Sequence, residues 1–308
     1  MSETMSPVPY TGNKGCIYQT IDAFMPPHKT YLEACMGSAE VFLRKRPVDK
    51  EIINDFNGDL VKFFRVLQRN EKLAYLVGRL YFSFNSEALF RANKNMLAGV
   101  PNILDDITET AVMIENAEWE DIELAVAFLE NQIFSFSSTG KTFAIAKKDM
   151  TKRFGRLVAA CCRLRNAIIM HRDYKDAINY AAGKNTFILL DPPYKGTEKY
   201  YQKSGFDSTE HDNLFEFMNS VHEKFKGECK FLITYNNDPY IKGLADKYGF
   251  DTYVQTRLHN MTQGTRPGEM FEELLIANYP LLKQADENNK FLAEQTRQLS
   301  LFDYHYDY

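Results

Sequence analysis

Five short apolar runs recur along the chain, each closing on a polar or acidic residue: KTYLEA at 29–34, KEIIND at 50–55, AIIMHRD at 167–173, TFILLD at 186–191 and CKFLITYNN at 229–237. Their apolar positions are consecutive rather than alternating, which marks strands covered on both faces, as in the middle of a parallel sheet. Between them, SAEVFLRK, NGDLVKFFRVLQ, TEHDNLFEFMNSVHEKF and DPYIKGLADKYG repeat apolar residues at the spacing of helices with one buried face. Strand and helix in alternation predict βαβ units and a Rossmann-like, doubly wound α/β fold.

The alternation stops between residues 71 and 165, where helical periodicity dominates. A mainly helical insert is expected there, splitting the sheet-forming chain into 1–70 and 166–283 and leaving a polar tail at 284–308. Near the end of the insert, NQIFSFSSTGKTFAIAKK sets a Ser-Thr-Gly turn between two β-prone runs and predicts a hairpin over 133–146, with its tip around Ser137 to Thr142.

The formal net charge of −4 gives no overall basic character. From Lys141 to Arg165, however, eight basic residues face a single acid, Asp149, for a local net of +7. Such a stretch either coats a solvated helix face or holds phosphates. The five cysteines form no CxxC pair, which fits a reducing cytoplasm. The opening residues MSETMSPVPY lack the basic-then-apolar pattern of a secretion signal, and no apolar run approaches the roughly 18 residues of a membrane span. A soluble, cytoplasmic protein is expected.

The fourth run ends on Asp191-Pro192-Pro193-Tyr194. In an open parallel sheet the carboxyl ends of the strands face the ligand crevice. Two prolines fix φ and keep each preceding residue out of helical geometry, so the exit is rigid and Tyr194 is aimed. The Asp191 carboxylate and the Pro192 carbonyl are acceptors beside a flat aromatic face. Adenine or cytosine, each a planar ring with an exocyclic amino group, meets these groups: both amino hydrogens are accepted while the ring stacks on Tyr194. Accepting them draws the nitrogen out of conjugation and exposes its lone pair to an electrophilic carbon held in line. No metal and no covalent enzyme intermediate is needed. Earlier in the chain, Gly37 permits a close turn beneath a ligand, and Asp55, 18 residues on, is placed to bond ribose hydroxyls.

At these residues the sequence resembles the DNA amino-methyltransferases, and within them the Dam-like family of adenine-N6 methyltransferases that use S-adenosylmethionine. DPPY at 191–194 is similar to the family's catalytic signature, PYTGNKG at 9–15 to its N-terminal cofactor motif, and YLEACMGSAEVFL at 31–43 to its Gly-containing strand, turn and helix. The motifs also stand in the family's order. The resemblance implies the class I S-adenosylmethionine-dependent methyltransferase fold with a DNA-recognition insert. It implies Tyr10 and Lys14 at the amino-acid end of the cofactor, Glu33, Ala34, Cys35, Gly37 and Ser38 around its methionine portion, and Asp173 and Tyr174 beside its adenine. Asp191 borders the cofactor as well as forming the catalytic tetrad with Pro192, Pro193 and Tyr194. Asp at 191 favours adenine over cytosine by family association alone, so a cytosine-N4 methyltransferase stays an alternative. So does a DNA-binding module with a vestigial cofactor site, because residues 34–39 read Ala-Cys-Met-Gly-Ser-Ala, with one glycine where the family has several.

A target amino group buried in duplex DNA has to be rotated out of the stack. The stretch after Tyr194, with Lys199 and Tyr201, is expected to close over the flipped base. Lys141, Lys147, Lys148, Lys152, Arg153 and Arg156 are expected to hold phosphates, and the hairpin to enter a groove. Gln298, Leu299, Leu301 and Phe302 belong to QLSLF, which resembles the short peptide by which bacterial replication proteins dock on the sliding clamp.

Overall fold

The computed structural model describes residues 5–83, 86–99, 119–144, 149–197, 206–258 and 268–303. Among them, seven strands form one sheet: β1 (Thr30–Glu33), β2 (Lys50–Asn54), β3 (Ile168–Met170), β4 (Thr186–Leu190), β5 (Lys230–Asn236), β6 (Asp251–Leu258) and β7 (Met270–Ala277). Their order is β3-β2-β1-β4-β5-β7-β6, with β7 antiparallel to both of its neighbours and the rest parallel. This is the α/β architecture that the resemblance implies.

Consecutive apolar residues arise because neighbours along a strand enter different cores. Tyr31, Ile53, Phe187, Leu189, Leu232 and Leu275 face one layer of helices, whereas Leu32, Ile52, Ile188, Leu190, Ile233 and Ile276 face the other. The first layer includes α1 (Tyr18–Phe24), α2 (Glu40–Arg44) and α3 (Gly58–Gln68). The insert follows with α4 (Asn70–Tyr81), α5 (Glu87–Ala98), α6 (Trp119–Phe134) and α7 (Phe154–Leu164). The second layer holds α8 (Tyr174–Ala181), α9 (Glu210–Lys224) and α10 (Pro239–Lys247). Helix starts follow the sequence: Asn57 caps α3, and Asp238 accepts the Tyr240 and Ile241 N–H groups, with Pro239 opening α10.

Three segments depart from expectation. β6 and β7 lie outside the five apolar runs; DTYVQTRL is a half-exposed edge strand, and acids interrupt MFEELLIA. The first arm of the expected hairpin is the end of α6 instead, because Leu129, Ile133 and Phe134 are buried at helical spacing as α6 packs on α3, α4 and α5. What remains is one antiparallel bridge, Ser135 to Phe143, closed by Phe136 N–H donating to the Thr142 carbonyl over 2.8 Å. The tail is the 23-residue helix α11 (Leu281–Asp303), tied to α1 where Asn288 Nδ2 donates to the carbonyls of Ala23 and Met25. Gln298, Leu299, Leu301 and Phe302 fall within its helical backbone, their side chains outside the described residues, so clamp docking gains no support from this course. No described helix is long and apolar enough to cross a membrane.

Strand order reverses between β1 and β4, and in open α/β sheets such a switch point is where ligands bind, beyond the carboxyl ends of the strands.

Candidate active site

Alternation along the strands carries polar residues to one rim and one face of the sheet. Two positions beyond the core residues Tyr31, Leu189, Leu232 and Leu275 stand Glu33, Asp191, Thr234 and Glu273, on or just past β1, β4, β5 and β7. Pairing brings them together, since Leu190 lies opposite Ile233 and Asn236 opposite Glu273.

Asp191 accepts a hydrogen bond on each oxygen. Thr234 Oγ1 donates to Oδ1 over 2.7 Å, and Lys14 Nζ donates to Oδ2 over 2.5 Å. The Lys14 ammonium also donates to the Gly12 carbonyl over 2.6 Å and lies 5.1 Å from the centroid of the Tyr194 ring. The Lys14 side chain is 7% exposed and that of Asp191 23%. Burial pushes the Asp191 carboxyl above its usual range, against Lys14 and Thr234, which pull it down. The Tyr194 ring leans on Tyr235 at 5.8 Å, and its hydroxyl donates to Glu273 Oε2 over 2.5 Å. Glu273 Oε1 in turn accepts from Arg257 Nε and Nη2, over 3.0 and 2.7 Å. The rim thus offers a fixed carboxylate beside a fixed aromatic face.

The neighbouring turn is built around Gly37 at φ +47 and Ala39 at φ 53, a left-handed pair that suits a residue without a side chain at the first position. Gly37 N–H donates to Asp55 Oδ2, and Asn57 N–H to Asp55 Oδ1, each over 2.9 Å. Tyr10 covers the turn so closely that a Cβ on Gly37 would sit 3.4 Å from its ring, and Asn57 Nδ2 donates to the Tyr10 hydroxyl over 3.3 Å. Ser38 is buried, its carbonyl accepting from Ser6 Oγ over 2.7 Å and its Oγ from Asn13 Nδ2 over 2.8 Å. Glu40 accepts the Met5 and Ser6 N–H groups, so residues 5–15 are held against the turn. Asn54 Nδ2 bridges the carbonyls of buried Ala34 and of Arg172, drawing the rims of β1 and β3 together where Asp173 caps α8. Tyr174 is buried beside it, with its hydroxyl donating to Glu210.

Cys35 sits half-buried at the centre of this rim. Burial, helped by Asp55, Asp191, Asp173 and Glu33, pushes its thiol well up. The Asp55, Asp173 and Asp191 carboxylates, beside a turn that opens on a residue without a Cβ, fit a cationic ligand, for instance a sulfonium carrying an α-amino group. Glu33 is anchored into the fold at the end of β1. It is 4% exposed, and its Oε2 accepts from the Tyr31 hydroxyl over 2.8 Å and from Phe42 N–H over 2.9 Å. Its carboxyl therefore braces α2 against β1.

The basic stretch divides. Lys141 and Lys152 are exposed and Arg156 is half-exposed, whereas Lys147, Lys148, Lys199 and Tyr201 lie outside the described residues. Arg153 turns inward, Nη1 donating to the Pro7 carbonyl over 3.1 Å, and Arg163 forks onto Glu51 over 2.5 and 2.7 Å while stacking on Phe42. The local net of +7 is thus not all turned to solvent, because these two guanidiniums serve the fold. A second tie links the insert to the N-terminal segment: Thr11 Oγ1 donates to the Ser137 carbonyl over 3.3 Å.

Thr234, Glu273, Arg257 and Asn54 are site neighbours that the sequence pattern passes over. Thr234 is hidden inside an apolar run. The sign of Glu273 is an acid pair within MFEELLIA, legible only once β7 is known to pair with β5.

Comparison with known proteins follows this geometry. A DNA N-6-adenine-methyltransferase of Escherichia phage P1 is 25% identical over 253 residues, which cover 78% of this chain and 31% of that relative, so the chain spans about a third of its length. The model of the D12 class N6 adenine-specific DNA methyltransferases matches residues 10–261, from Tyr10 through the Gly37 turn, the insert and DPPY to beyond Arg257, and the chain belongs to that family.

Proposed function

We propose that this chain transfers a methyl group to the N6 amino group of adenine in duplex DNA, with S-adenosylmethionine as donor. The observation that carries this reading is the seat of the Lys14 ammonium, held by Asp191 Oδ2 at 2.5 Å and by the Tyr194 ring at 5.1 Å. An exocyclic amino nitrogen gains positive charge as it is alkylated, and the same two groups stabilise charge at that place. A base stacked on Tyr194 takes the position of the ammonium, so Lys14 leaves Asp191 as the base enters. Asp191, oriented by Thr234, then accepts one amino hydrogen and the Pro192 carbonyl the other. When bound, S-adenosylmethionine supplies the methyl group as a sulfonium electrophile. Tyr10, Gly37, Asp55 and Asp173 are the residues that would hold it, with Ala34, Cys35 and Ser38 shaping the turn.

Lys141, Lys152 and Arg156 are the proposed phosphate contacts, joined by Lys147, Lys148, Lys199 and Tyr201, and the tip around Ser137 is the proposed reading element. A reducing, cytoplasmic setting belongs to the same reading, supported by five free cysteines. Clamp docking through Gln298, Leu299, Leu301 and Phe302 rests on the residue pattern alone; retention on an immobilised clamp, lost on deleting residues 298–308, is its test. For the activity itself, purified protein is incubated with labelled cofactor and plasmid DNA and the label is mapped. N6-labelled adenine within one short site is expected; label on cytosine, or none, overturns the reading.

A further inference from the structure

Glu273 has no part in the chemistry described so far, yet it is a carboxylate 2% exposed with both oxygens engaged. On one side lies Arg257, its diagonal neighbour across β6 and β7, where Gln255 is directly opposite Glu273. On the other lies the hydroxyl of Tyr194, 79 residues earlier in the chain. We propose that Glu273 is a positioning residue for methyl transfer, fixing the ring of Tyr194 through its hydroxyl, and that Arg257 fixes Glu273 in turn. This role rests on the functional reading above, because it presumes a base stacked on Tyr194.

The ring has two faces and one far end. The ring leans on Tyr235 at 5.8 Å and lies 5.1 Å from the Lys14 ammonium, the place assigned to the base. The hydroxyl is the far end, and a bond there removes the swing that packing on a single face leaves. Burial, with Asp191 and Glu273 close by, pushes the phenol well above its usual range, so it stays a donor under all working conditions. A phenol that donates to a carboxylate also has a more electron-rich ring, which deepens its attraction for a nitrogen gaining positive charge. A carboxylate at this depth is costly without a partner, and the Arg257 fork on Oε1 leaves Oε2 for the phenol. A buried pair serving only to join β6 to β7 would have no need of Tyr194.

The test uses the full chain and a duplex carrying the site mapped by labelling, with adenine at the target base for kinetics and 2-aminopurine in its place for fluorescence. Tyr194→Phe deletes the hydroxyl and leaves the Glu273–Arg257 pair intact; Glu273→Gln keeps an acceptor for the phenol, and Glu273→Ala removes it. A loosened ring stacks less well, so 2-aminopurine should brighten in Tyr194→Phe relative to wild type. For that variant kcat should fall on the order of tenfold while KM for DNA stays within about twofold. Glu273→Gln should retain more activity than Glu273→Ala, and Tyr194→Phe combined with Glu273→Ala should be no worse than Glu273→Ala alone. If Glu273→Ala fails to fold, Tyr194→Phe and Glu273→Gln decide. Wild-type kcat and fluorescence in Tyr194→Phe, or multiplying effects of Tyr194→Phe and Glu273→Ala, overturn this role alone. A wild-type protein that labels no adenine overturns the functional reading, and this role falls with it.

Discussion

Burial and charge conflict most openly at Glu33. Its carboxyl is pushed up to about 8 from an ordinary 4.5, chiefly by burial. Because the folded state binds this proton more tightly than the unfolded state, stability falls as pH rises between those values. Nothing is lost below about 4.5, where both states are protonated, and the full cost is present above about 8. That interval corresponds to ~5 kcal/mol, approached at ~1.4 kcal/mol per pH unit. Glu33→Gln keeps an amide oxygen for the Tyr31 hydroxyl and the Phe42 N–H and never ionises. Urea unfolding of both proteins at pH 5 and pH 9 should show the advantage of the amide variant growing by roughly 4 kcal/mol between the two. The same variant should bind S-adenosylmethionine in calorimetry within about threefold of wild type, since the side chain braces α2. An advantage equal at both pH values would refute the reasoning, because the carboxyl would then hold one protonation state throughout.

Three further outcomes follow from the site. Asp191→Asn removes the charged acceptor, so transfer to DNA should fall on the order of 10²- to 10³-fold in a filter assay, with cofactor binding by calorimetry largely kept. Asp191 must be ionised to act, and burial raises it, so kcat/KM should decline as pH falls through a point above the ordinary carboxylate range; Lys14→Met removes a charge that lowers it and should move that acid limb to higher pH. Lys152→Ala should reduce the salt slope of duplex binding by about 1, whereas Arg153→Ala, which strands the Pro7 carbonyl, should lower the melting temperature with little change in that slope.

The parallel part of the sheet was legible because residues alternating between two cores leave runs such as IIM and FILL without a polar break. The acids of the rim were legible too, since Asp55, Asp173 and Asp191 each close such a run. The antiparallel end was not: β6 is an edge strand with mixed composition, and nothing local tells that residue 273 will stand beside residue 194. Arg153 shows the other limit. Its neighbours in sequence are basic and exposed, and only the packing of residues 5–15 against the insert reveals that its guanidinium has a carbonyl to serve. α6 falls within the stretch read as helical, but its last turn looked like a strand because Ile133 and Phe134 are also β-formers.

The stitches at Pro7 and Thr11 bear on how such a protein can be rebuilt. Tyr10 and Lys14 ride on the same eleven-residue ribbon that Arg153 and Ser137 grip from the other side. A foreign insert grafted between residues 70 and 166 would therefore arrive without its grip, and the ribbon would lose both ties. Replacing the insert calls for exchanging both pieces as a matched set.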